Sequence, residues 1–70
     1  MAELHYGVVQ QGGRWIIIGK NLRFGAFMRR STAVRAARRL ADQAAGLPVT
    51  LHIQDETGRM LPPQRLEPVL

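Results

Sequence analysis

Between residues 31 and 46 the chain reads STAVRAARRLADQAAG, and Ala33, Ala37, Leu40 and Ala44 recur there at spacings of four, three and four, with Ala36 and Ala41 beside them. That spacing places one apolar stripe along one side of a helix, and such a stripe must be buried against another layer. Because the stripe is mostly alanine, the covering layer can approach closely. Ser31 or Thr32 is placed to cap the first turn through its hydroxyl, and Gly46 to close the helix in the left-handed conformation, with Pro48 forbidding continuation. Arg35, Arg38, Arg39 and Asp42 fall on the opposite, solvated face. A chain of 70 residues supports one core, since it buries only about 60% of its unfolded surface. Cysteine is absent, so neither a disulfide nor a thiolate zinc site substitutes for hydrophobic packing.

The partner layer is legible upstream. Residues 4–10, LHYGVVQ, and 14–19, RWIIIG, read as two strands joined across Gly12-Gly13, a strong hairpin signal. With those glycines as the loop, Gln10 pairs with Trp15 and Val8 with Ile17, which sets Tyr6, Val8, Trp15 and Ile17 on one face. His5, Val9, Arg14, Ile16 and Ile18 take the other. A second tight turn at Lys20-Asn21 sets Gly19 opposite Leu22 and Ile17 opposite Phe24. Leu22, Phe24 and Ala26 then join the first face, which seats the alanine stripe, while Arg23, Gly25 and Phe27 join the second.

After the helix, residues 47–54 alternate, with Val49, Leu51 and Ile53 on one side, as a half-buried strand does. Asp55-Glu56-Thr57-Gly58 reads as a turn, and Arg59, Met60 and Leu61 as a short return before Pro62-Pro63 ends regular pairing. The expectation is one α+β domain over residues 1–61: an antiparallel meander of three to five strands with one α-helix on one face, in the order β-β-β-α-β-(β). Residues 62–70 form a Pro-rich, mobile tail whose Leu66, Val69 and Leu70 are available for docking. No apolar run approaches the roughly 18 residues of a membrane span, and Glu3 stands where a signal peptide needs basic residues, so a cytoplasmic location is expected.

YGVV (residues 6–9), GGRW (12–15), AARRLA (36–41) and VTLHIQDETGRM (49–60) together resemble a family of short bacterial proteins known as domain-of-unknown-function family 2188. The resemblance spans most of residues 4–60 and implies the fold and a bacterial origin. It carries no catalytic residues, because that family has no assigned activity. Where the family tends to open its helix with an acidic residue, this chain has Thr32 or Arg35. A fainter likeness of topology and charge is to the three-strands-plus-helix DNA-binding modules of tyrosine recombinases and AP2-type factors. It implies a sheet face turned to the major groove, with Arg14, Ile16, Ile18, Arg23 and Phe27 at the matching positions.

Ten basic residues against five acidic ones give a net charge of +5, and nine of the ten are arginine, whose planar fork suits phosphate. Arg35, Arg38 and Arg39, with Arg29 and Arg30 before the helix, make a positive stripe. Cations at a helix N-terminus cost a few tenths of a kcal/mol against the helix dipole, a cost that a phosphate partner would offset. The competing reading is a solvated face with Arg38 paired to Asp42. On the outer sheet face, Val9, Ile16, Ile18 and Phe27 are apolar where a solvated face alternates to polar, with Arg14, Arg23 and Lys20 around them. This suits either a homo-oligomer interface or a platform for DNA or RNA.

No catalytic set emerges. His5 and His52 lack a second ligand or carboxylate at metal or acid/base spacing, and Ser31 and Thr32 have no base beside them. Gly12-Gly13 precedes no helix and so is no phosphate-cradling loop. The sequence therefore points to a non-catalytic module without metal, cofactor or small-molecule substrate, binding nucleic acid or, alternatively, other copies of itself.

Overall fold

Two-residue turns organise the first half of the molecule, which a computed structural model describes over residues 3–44 and 46–66. The elements run β1 (Leu4–Gln11), β2 (Arg14–Gly19), β3 (Leu22–Phe27), α1 (Arg30–Asp42), β4 (Val49–Ile53) and β5 (Gln64–Leu66). Gly12 and Gly13 take φ of 58° and 77°, and Lys20 and Asn21 take 52° and 63°. Both turns thus use left-handed backbone at both central positions, the geometry whose twist matches that of the flanking strands. The first hairpin has the expected register, Gln10 opposite Trp15 and Val8 opposite Ile17, and the second begins as expected with Gly19 opposite Leu22.

The second hairpin then departs from expectation. Ile18 pairs with Arg23, but Ile16 pairs with Ala26 and Trp15 with Phe27, so Phe24 and Gly25 together stand opposite Ile17. This is a β-bulge, made possible by Gly25 at φ 92°. One extra residue reverses the alternation, so Ala26 moves to the outer face and Phe27 to the helix side. Phe27 is half-buried against the core.

The sheet is not a pure antiparallel meander. Its order is β3-β2-β1-β4-β5, with β4 parallel to β1, Leu4 opposite Val49 and Val8 opposite Ile53. The reason is the single helix: α1 carries the chain back along the sheet, so the next strand runs in the direction of β3 and hence of β1. The last strand is also displaced. Gln54 bridges Met60, and the Leu61 N–H donates to the Ile53 carbonyl at 2.8 Å. Pairing then resumes after Pro62-Pro63, with Leu51 opposite Gln64 and Val49 opposite Leu66. Residues 64–66 are therefore an ordered edge strand rather than mobile tail, and Leu66 packs on the core. The two prolines sit just outside the pairing, where a missing N–H costs nothing. The expectation for Val69 and Leu70 lies outside the described residues.

Between the layers, Tyr6, Val8, Trp15 and Ile17 from the first hairpin and Val49, Leu51 and Ile53 from β4 pack with Ala33, Ala37 and Ala44. Gly19 is part of this fit, since a Cβ there would overlap the Tyr6 ring, itself edge-on to Phe24 at 5.7 Å. Leu22, beside the Lys20-Asn21 turn, faces the same way yet is 58% exposed. The helix ends differ from the sequence reading. Arg29 is the N-cap in extended conformation, and no side chain caps the helix. The capping position is set by where β3 stops, which puts Ser31 and Thr32 inside the first turn. The last helical residue is Asp42; Gly46, at φ 82°, belongs to a following turn in which the Leu47 N–H donates to the Ala44 carbonyl at 3.1 Å. No helix among the described residues is long and apolar enough to cross a membrane.

Asp55 holds the turn after β4. Its Oδ1 accepts from the Thr57 hydroxyl at 2.7 Å and from the Thr57 and Arg59 N–H groups, each at 2.9 Å. The Thr57 hydroxyl first, then the Arg59 N–H, hold its carboxyl below the usual aspartate range. A carboxyl depressed in the folded state stabilises the fold above its unfolded pKa, and that contribution is lost as pH falls through the folded one. Urea midpoints measured across the acid range should therefore fall less steeply for Asp55→Ala than for the wild type; parallel curves would show that the turn does not depend on the carboxylate.

Candidate nucleic-acid interface

The eight basic residues singled out by the sequence divide between two surfaces. Arg29, Arg30, Arg35, Arg38 and Arg39 lie on or beside α1. Arg14 and Arg23 lie on the sheet face turned away from the helix, and Lys20 in the β2–β3 turn. All are exposed except Arg30, which is half-buried. Two of the helix arginines are braced. The Arg30 Nε donates to the Gln54 carbonyl at 2.9 Å, tying the start of α1 to the end of β4. Arg38 donates to Gln64 Oε1 at 3.0 Å, tying the middle of α1 to β5. Arg38 is thus held by an amide rather than by Asp42, whereas Arg65 of β5 forms an ion pair with Glu3 at 3.4 Å.

Arg30, Ser31, Val34, Arg35 and Arg38 line a shallow groove of about 360 Å³. It adjoins a cleft of about 480 Å³ bounded by Trp15, Met28, Arg29, Arg30, Ser31 and Glu56. The first turn of α1 has no acidic residue and no side-chain cap, so its leading N–H groups add partial positive charge to that of the arginines. Trp15 itself is core, and Met28, 71% exposed, is the apolar part of the cleft rim.

The apolar row expected on the outer sheet face is reduced. The bulge sends Phe27 to the other side, and Ile16 is only 8% exposed despite facing away from the helix. Val9 and Ile18 remain half-buried. The face therefore lacks the aromatic residue that the likeness to three-strand DNA-binding modules required.

What the sequence reading missed is the corner where β1 meets β4. His5 Nδ1 and His52 Nε2 lie 3.0 Å apart, with ring centroids 5.3 Å apart and planes inclined by 24°. The centroid distance exceeds the nitrogen distance by about the two ring radii, so the rings meet end to end in one N–H···N bond rather than face to face. Beside them the Thr50 hydroxyl donates to Glu3 Oε1 at 2.8 Å. That bond first, then the Arg65 guanidinium, keep the Glu3 carboxyl below its ordinary range. The histidines are separated by 47 positions, and only the parallel β1–β4 register joins them, so no local pattern signals the pair. Compared with known proteins, the chain matches no family model, no curated protein and no solved structure.

Proposed function

We propose that this domain is a non-catalytic module that binds the phosphate backbone of nucleic acid along the arginine-bearing side of α1. One observation carries the reading: Arg29, Arg30, Arg35, Arg38 and Arg39 lie on or beside one helix, and among the described residues none of them forms a close ion pair with a carboxylate, Asp55 acting on Arg30 only at longer range. Two of them are braced by neutral groups, Arg38 by an amide oxygen and Arg30 by a backbone carbonyl. Neutral bracing limits the motion of a long side chain while keeping its guanidinium available to an anion. Contacts of this kind recognise the charge and spacing of phosphates and carry no base sequence. Arg14 and Arg23 face the other way and are not part of the surface.

The alternative, a homo-oligomeric interaction module whose charge serves solubility, draws on the half-exposed Val9 and Ile18 of the outer face. The deciding measurement is fluorescence anisotropy of a labelled mixed-sequence duplex titrated with protein at several salt concentrations. One phosphate for each of the five arginines predicts a slope of log K against log salt of roughly −4.5. Absence of binding at low salt would overturn the proposal and leave the oligomer reading.

A further inference from the structure

We infer that His5 and His52 form a binding site for a late first-row divalent cation of the Zn2+, Ni2+ or Cu2+ class. The inference is independent of nucleic-acid binding. Imidazole is the preferred side-chain ligand for these ions, and two imidazoles from neighbouring strands are held here with their nitrogens 3.0 Å apart. The backbone on both sides is fixed by pairing, His5 opposite Thr50 and His52 opposite Gly7. Gly7 has no side chain to fill the surface beside His52, and the imidazole reaches diagonally along the sheet to His5. Zn–N bonds of about 2.0–2.1 Å at a tetrahedral angle need nitrogens roughly 3.3 Å apart. The present spacing is therefore a few tenths of an ångström short. A swivel of the exposed His5 ring provides that separation and turns both facing nitrogens toward one point.

Without metal one neutral imidazole donates its N–H to the other; on binding the metal takes that place and the proton moves to the outward nitrogen of the donor ring, so both ligands stay neutral. The described residues include no cluster of three or more metal-binding side chains, so water completes the coordination. The Glu3 carboxylate stands two residues before His5 on the same face, positioned by Thr50 and countered by Arg65. It supplies negative charge to the neighbourhood without being a ligand. A metal at this place would clamp β1 to β4, the parallel pair that joins the first hairpin to the last two strands.

The test is Zn2+ titrated into the full chain without an affinity tag, labelled with 15N and followed through the histidine ring nitrogens. The expected result is one equivalent of Zn2+ shifting His5 Nδ1 and His52 Nε2 together, accompanied by a higher Tm. His5→Gln and His52→Gln should each weaken binding roughly a hundredfold, because removing one ligand leaves no intramolecular second attachment. Facing nitrogens left unmoved by Zn2+, or either variant binding as tightly as the wild type, would overturn the inference. Should a variant fail to fold, the wild-type nitrogen pattern decides alone, since an end-on pair with no metal affinity leaves both facing nitrogens unmoved in excess Zn2+.

Discussion

Replacing Ile17 with alanine is expected to remove on the order of 2–5 kcal/mol of stability. At roughly 0.05–0.15 kcal/mol per residue, the whole domain has on the order of 4–10 kcal/mol to lose. Ile17 is fully buried and is among the largest fully buried side chains of the core. It lies on β2 between β1 and β3, and it faces the alanine side of α1. Alanines offer no longer side chain that could swing into the space, so the cavity persists unless the helix itself moves. The bulge on β3 adds to the effect, because Phe24 and Gly25 are arranged around the position of Ile17 and not around a smaller residue. Urea unfolding should show a large fall in midpoint with little change in slope. A loss below about 1 kcal/mol would mean that α1 settles onto the sheet, and that close packing of the alanine stripe is not what stabilises the fold.

The second large effect concerns binding. Arg35→Gln, Arg38→Gln and Arg39→Gln combined should abolish measurable duplex affinity at physiological salt. At low salt they should reduce the slope of log K against log salt by roughly 2.7, at about 0.9 for each phosphate no longer neutralised. Glutamine keeps helix propensity close to that of arginine, and all three positions are exposed, so the fold should persist with only the Arg38–Gln64 bond removed. Arg14→Gln with Arg23→Gln is the control: those residues lie on the opposite face, and the slope should stay within about one unit of the wild type. A triple variant that binds as the wild type does, or a control that loses binding instead, would move the interface to the sheet. An unchanged sedimentation coefficient in the triple variant would show that any self-association uses other residues.

The contrast between Phe27 and Phe24 shows where local reading stops. Counting from the Lys20-Asn21 turn assigns each to a face, and the count holds for Phe24. It fails three residues later because Gly25 admits a bulge. The glycine is visible in the sequence, but alternation alone does not distinguish a glycine in a regular strand from one at a bulge. Here the bulge brings Phe27 beside Trp15, where its ring is partly removed from water, and leaves the smaller Ala26 outside. Similarly, Ser31 and Thr32 are good capping residues, yet the position at which β3 ends makes Arg29 the cap.

Arg35, Arg38 and Arg39 were legible because a period of 3.6 residues assigns them to one side of α1 without reference to anything else. The bracing of Arg30 by Gln54 and of Arg38 by Gln64 was not, since it depends on where β4 and β5 lie. The histidine pair was illegible for the same reason.

From the amino-acid sequence alone came the places of the two hairpin turns, the helix and its alanine side, the alternating strand after it and the arginine face. Each follows from forces acting over four residues or fewer: backbone sterics, side-chain alternation and helical periodicity. The tertiary structure decided the parallel placement of β4 beside β1, the resumption of pairing beyond the prolines, the bulge and the meeting of His5 with His52. Those outcomes come from burying both sides of one shared core at once, a condition that no local segment carries in its own spacing.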